Sequence, residues 1–262
     1  MIKDTVYFVS DAHFGIPLPG CELQKPLFFD FLEGVSLDAS DLFIVGDLFD
    51  FWIEYRYAIR PDYFSILHAL KKVSERGVRI HYLAGNHDFA LGPFLEQEIG
   101  ISIHCNDYDA LIQGKKVYIF HGDGLLRRDV GYRILRKILR SRVNQFLFKL
   151  LHPDLGVLIG AFCSGTSRKY LRVHLSDEII EEYRDHALKS LKKGNDLVIF
   201  GHTHRGDLCH YESGVYLNTG SWLINYNYAT MRNGEVSLWR YREGLSPELI
   251  SAIDLKKGRK ES

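Results

Sequence analysis

Two hydrophobic periods alternate along the first 120 residues. Short β-branched or aromatic runs at Thr5–Ser10, Asp41–Val45 and Val78–Ala84 predict strands, and the stretches near Leu23–Glu33 and Asp62–Arg76 have the spacing of amphipathic helices. This alternation predicts an α/β fold. Two apolar runs, Asp107–Gln113 and Lys115–Phe120, meet at Gly114 and predict a hairpin. Strand character returns at Asp196–Phe200, Asp207–Glu212, Gly214–Asn218, Asn225–Arg232 and Glu235–Tyr241, and residues 256–262 read as a polar, frayed tail.

The polar residues that follow these runs carry the candidate chemistry. Ser10-Asp11-Ala12-His13, Gly46-Asp47-Leu48-Phe49-Asp50, Gly85-Asn86-His87-Asp88, His121-Gly122-Asp123 and Gly201-His202-Thr203-His204 each terminate a predicted strand. Strand ends are where open α/β sheets place their sites. Divalent ions that handle phosphate take carboxylate, imidazole and amide-oxygen ligands, and a second ion needs a ligand that bridges. Asp11 and His13 project to the same side of an extended segment, and Asp47, with two oxygens beside Gly46, suits the bridge. The reading is therefore ion one on Asp11, His13, Asp47 and His204, and ion two on Asp47, Asn86, His121 and His202. Two ions about 3.5–4 Å apart hold a hydroxide for in-line attack on a phosphoryl group, so the nucleophile is solvent. His87 is placed to contact the phosphoryl oxygens or protonate the leaving oxygen, and Asp88 to orient its ring. Asp50 is expected to fix His13 or His204, and Asp123 to support the site in a similar way.

Charge changes the picture locally. The chain is neutral, with 33 basic and 33 acidic residues among 262, so no global field points to nucleic acid or a membrane. Residues 125–175 nevertheless hold eleven Lys or Arg and only Asp129 and Asp154, a net of about +9. Within this segment Ile134, Leu135, Ile138, Leu139, Val143, Phe146, Leu147 and Leu150 share one helical face, with cations on the rest. Such a helix lies on an anionic membrane surface or packs as an ordinary cap with its charges solvated. The segment shows little aromatic interleaving for base stacking, which disfavours nucleic acid. The four cysteines are scattered, and the N-terminus shows no signal-peptide pattern, so a reducing cytoplasm is expected.

The succession D-x-H, G-D-x-x-D, G-N-H-D, H-G-D and G-H-T-H resembles the calcineurin-like metallophosphoesterase superfamily over roughly residues 5–220. That resemblance implies a β-sandwich flanked by helices, with the ions at its edge. Here the core is expected over 1–124 and 186–255, with a helical cap insertion over 125–185.

A finer resemblance, to the UDP-2,3-diacylglucosamine diphosphatase family of lipid A biosynthesis, rests on Gly46-Asp47-Leu48-Phe49-Asp50-Phe51-Trp52, Gly85-Asn86-His87-Asp88-Phe89, and Asp129-Val130-Gly131-Tyr132 with Arg136. It implies cleavage of the substrate's pyrophosphate to UMP and an acylated sugar 1-phosphate, with two divalent ions, expected as Mn²⁺. Asn86, His87, Asp129, Ser164, Arg168, Lys169 and His202 would contact the substrate, and the protein would lie on the inner face of the cytoplasmic membrane. Arginine often stands at the family's counterpart of His87, and the spacing of Ser164, Arg168 and Lys169 departs from its pattern. A phosphodiesterase or phosphatase for another nucleotide or lipid-linked phosphate, and a non-catalytic scaffold of the same fold, remain alternatives. The sequence does not fix an oligomeric state.

Overall fold

The computed structural model describes residues 3–16, 23–160 and 176–255. Among them, β1 (Thr5–Val9), β2 (Ala39–Val45), β3 (Arg79–Leu83), β4 (Ile101–His104), β10 (Asn227–Arg232), β11 (Glu235–Arg240) and β12 (Glu248–Asp254) form one sheet in the order β12-β11-β10-β1-β2-β3-β4. The strands β5 (Tyr108–Ile112), β6 (Lys115–Phe120), β7 (Leu197–Phe200), β8 (Asp207–Tyr211) and β9 (Gly214–Asn218) form a second, in the order β5-β6-β7-β9-β8. Of these, β4 and β12 were not anticipated.

Side-chain alternation decides the layering. Val6, Phe8, Phe43, Val45 and Leu83 from the first sheet meet Val117, Ile119, Leu197, Ile199 and Leu217 from the second, which closes the sandwich. The intervening residues face outward. Val9, Leu42, Ile44 and Tyr82 pack under α1 (Gln24–Asp38) and α2 (Phe64–Glu75). Val198, Phe200 and Tyr216 pack under α5 (Asp177–Leu191). The result is the helix-flanked α/β sandwich expected from the sequence. At the tip of the β5–β6 hairpin, Gln113 and Gly114 have φ of 49° and 77°, the pair of left-handed residues that matches the twist of a two-residue turn.

The core resumes earlier than expected. Helix α5 begins at Asp177, with Asp177 and Glu178 in its first turn and Lys189 in its last, which suits the helix dipole. Its Ile179, Tyr183, Ala187 and Leu191 are buried against the second sheet, so it belongs to the core, and residues 177–185 leave the predicted cap. On the other side of the insertion, Leu126 is buried in the same cluster.

The insertion itself behaves differently. Helices α3 (Val130–Leu139) and α4 (Arg142–Lys149) bury no residue, and Ile134, Ile138, Val143, Phe146, Leu147 and Leu150 are half or more exposed. The apolar stripe read from the sequence exists, but it does not pack on the domain as an ordinary cap helix would.

Candidate metal centre

The strands that carry the motifs run parallel, β1 beside β2 beside β3 and β6 beside β7 beside β9, so their C-terminal ends gather at one edge of the sandwich. There the backbone bends sharply. Asp11, His13, Asp47, His202 and His204 all have φ between 49° and 66°, a region that non-glycine residues enter at a cost of roughly 1–3 kcal/mol each. Loop-to-loop hydrogen bonds hold them: Asp11 donates its N–H to the Gly46 carbonyl (3.2 Å), His13 to that of Asp47 (3.0 Å) and Phe14 to that of Leu48 (2.8 Å). Two glycines allow the close approach. A Cβ on Gly46 would sit 2.4 Å from the His121 ring, and one on Gly85 would sit 2.1 Å from Asp47 Oδ1.

Seven candidate ligands converge. Asp11, His13 and His204 present ligand atoms all within 4.8 Å of one another, and Asp47, His121 and His202 do the same. Asp47 joins the two groups: its Oδ2 lies 3.8 Å from His13 Nε2 and 3.4 Å from His121 Nε2. Asn86 Oδ1 is 3.0 Å from His121 Nε2, and His202 Nδ1 is 3.2 Å from the same atom. His204 Nε2 is 3.1 Å from Asp11 Oδ1 and 3.2 Å from His13 Nε2. His87, Asp47 and His13 form a third such group, which brings His87 nearer the ligands than its expected role beside the phosphoryl group required.

The donor set fits divalent cations. His121 donates from Nδ1 to the Val45 carbonyl (2.8 Å), which turns Nε2 toward Asp47, Asn86 and His202. Burial alone would lower the His121 imidazole, yet Asp47, Asp11 and Asp123 overcome it and push it up to about 10. The pocket therefore calls for positive charge. Burial works to raise Asp11, but His204 and His121 draw its carboxyl down to about 2. Burial and His121 hold His202 down to about 4, in the neutral form a metal ligand needs. Buried Asp11 Oδ1 faces the ring nitrogens of His204 (3.1 Å) and His13 (3.9 Å), as a ligand oxygen would.

Three supporting roles differ from those expected. Asp88, read as the group that orients His87, accepts backbone N–H bonds from Asp47 (3.2 Å), Leu48 (2.8 Å) and Gly85 (2.7 Å), and the Tyr82 hydroxyl. Its task is to tie the second and third motifs together. Asp50 is the residue that meets the His87 ring: Nδ1 donates to its carbonyl (2.8 Å) with its carboxylate 3.6 Å away, whereas Nδ1 of His13 has no hydrogen-bond partner. Asp123 faces the insertion, with Arg136 at 2.9 Å, the Tyr132 hydroxyl at 2.9 Å and Arg140 at 3.6 Å.

Sequence reasoning also missed the props behind Asp11. Ser10 Oγ bonds the Asp11 carboxylate and lies 2.7 Å from Thr219 Oγ1, Ser221 donates to the Asp11 carbonyl (2.9 Å), and Asn218 donates to the Gly201 carbonyl (2.8 Å). The signal was present as the Asn218-Thr219-Gly220-Ser221 run, a small polar cluster at the end of β9. Asp129 stands at the N-terminus of α3 without capping it, half-buried, and burial raises its carboxyl. Ser164, Arg168 and Lys169 lie outside the described residues.

A family model for calcineurin-like phosphoesterases matches residues 5–206, which span the five motifs. The chain belongs to that family. It is a metal-dependent phosphoesterase, and its clustered His and Asp side chains are arranged as divalent-metal ligands would be. Curated relatives named UDP-2,3-diacylglucosamine hydrolase match most of the phosphoesterase. One from Haemophilus influenzae (strain ATCC 51907 / DSM 11121 / KW20 / Rd) is 32% identical over 84% of this chain and 91% of its own. Another, from Porphyromonas gingivalis (strain ATCC BAA-308 / W83), is 27% identical over 87% and 94%. A third, from Pseudomonas syringae pv. syringae (strain B728a), is 31% identical over 76% and 79%.

Proposed function

We propose that this phosphoesterase cleaves the pyrophosphate bond of UDP-2,3-diacylglucosamine, giving UMP and 2,3-diacylglucosamine 1-phosphate at an anionic membrane surface. The observation that carries the substrate class is the exposed apolar face of α3 and α4, set in a strongly basic segment that leaves the core directly after the His121 motif. An acylated phosphosugar asks for that combination: apolar surface for the chains, cations for the pyrophosphate, and metal beside both. The names of the relatives point to the same substrate. Among the described residues no helix is long and apolar enough to cross a membrane, so membrane contact is read as peripheral, through the cap.

Two ions, Mn²⁺ by preference, would be held by Asp11, His13, Asp47 and His204 and by Asp47, Asn86, His121 and His202. When bound they supply charge that stabilises the phosphoryl group in its transition state and lowers the pKa of a coordinated water. The chain's own residues do the positioning. His87, fixed through Nδ1 by the Asp50 carbonyl, presents Nε2 to the space beside Asp47 and His13, where a phosphoryl oxygen comes within its reach. Asp129, which caps no helix N–H, has a carboxylate to offer a sugar hydroxyl. Ser164, Arg168 and Lys169 complete the substrate contacts in this reading, as do Asn86 and His202.

Release of UMP from the acylated nucleotide sugar in detergent, with and without Mn²⁺, tests the proposal. Mn²⁺-stimulated turnover is expected. Equal turnover of the deacylated nucleotide sugar would overturn the lipid reading, because the apolar cap would then contribute nothing.

A further inference from the structure

Helix α3 presents a physical puzzle: it buries no residue, so the hydrophobic effect that seats most helices does not seat this one. Polar contacts centred on a fully buried carboxylate do so instead. Asp123, two residues after the ligand His121, receives Arg136 Nε at 2.9 Å and the Tyr132 hydroxyl at 2.9 Å, with Arg140 at 3.6 Å. Both arginines are mostly shielded, and each makes a second bond to the core. Arg136 donates to the Asp123 carbonyl (3.2 Å), and Arg140 donates to the carbonyls of Gly85 (3.2 Å) and Cys105 (3.0 Å). Gly85 immediately precedes the ligand Asn86. The helix is therefore pinned to the two loops that present Asn86 and His121.

We propose that Arg136 and Arg140 are positioning residues that act through Asp123, setting the apolar face of the cap at a fixed place relative to the metal centre. This rests on the acylated nucleotide sugar as substrate. Guanidinium groups suit the task because several directed N–H donors fix an orientation that one point charge would leave free. A cap seated by a polar latch keeps its whole apolar surface available for acyl chains, whereas a cap seated by hydrophobic burial would have used that surface up.

The test is the Arg136→Gln, Arg140→Gln protein. KM for the acylated nucleotide sugar should rise about tenfold or more, as a displaced positioning element demands, while kcat and bound metal stay close to the parent values. The Arg136→Lys, Arg140→Lys protein should recover part of that loss. Amide hydrogen exchange over Val130–Leu139, measured without substrate, should quicken about tenfold in the Gln protein while α5 is unchanged. Unchanged exchange overturns the latch, since arginines that merely bind substrate would leave the free helix as it was. Loss of metal or of kcat at constant KM overturns it too, by assigning the arginines to the His121 loop. If the parent protein does not turn over the acylated nucleotide, the substrate reading fails, and the exchange result still decides the latch.

Discussion

The metal centre and the cap are held together by opposite means. At the centre, four of the seven candidate ligands are buried and three half-buried, five sit in left-handed backbone, and a mesh of loop-to-loop bonds fixes them. In the cap, α3 and α4 bury nothing, and polar contacts around one carboxylate secure the first of them. The centre is over-determined because ligands must hold their geometry against strain. The cap is under-determined, which fits the proposed role of its exposed apolar face toward the acyl chains of the substrate. Substitutions in the two regions should consequently fail in different ways.

The largest effect is expected at Asp47, which joins the two ligand groups: Asp47→Asn should cut hydrolysis by well over the ~10–100-fold typical of groups that merely support a ligand. Activity within tenfold of the parent, together with full metal occupancy, would remove Asp47 from its bridging place. Next comes Asp88→Ala. It strands three backbone N–H groups in a buried setting and should lower unfolding free energy by about 3 kcal/mol in urea titrations. A drop below about 1 kcal/mol would mean that those N–H groups find other partners.

The cap reverses the pattern. Ile138→Ser with Leu147→Ser should change stability by less than about 0.5 kcal/mol, since both side chains are exposed, yet weaken use of the acylated substrate. Destabilisation without a kinetic change would show that this face packs inside the protein.

The smallest effect lies far from both regions. Burial tends to raise the Asp41 carboxyl, but hydrogen bonds from His81 and Arg79 bring it well below the usual range. A depressed carboxyl contributes stability above its unfolded value of about 3.9 and loses it as pH falls through the folded one. Asp41→Asn should thus cost about 1 kcal/mol at neutral pH, with the gap to the parent narrowing in acid. A gap that is constant from pH 7 to pH 3 would exclude this pairing as the source.

The sequence made the centre more legible than its surroundings. Ligand types, their order and their strand-terminal positions are local, and the structure gathers all seven at one edge. The roles of Asp50 and Asp88 were not legible, because which carboxylate meets which ring depends on how separate loops register in space. Strand β4 carries Ser102 and His104 over only four residues, and β12 is an edge strand with exposed apolar positions such as Leu249 and Ile250, so neither has a clean alternation. Periodicity found the apolar stripe of the cap but not what covers it, since a buried face and a lipid-facing one share the same spacing. The buried face of helix α5, Ile179, Tyr183, Ala187 and Leu191, is masked in the sequence by the charged residues between those positions.

Strands β6 and β7 are parallel neighbours, and all that their chain path strictly requires is one crossover, which α5 already provides. The cap is spliced into that crossover as an addition the sandwich does not need for closure. A change in the length of this single excursion would therefore leave the strand order of the sandwich as it is.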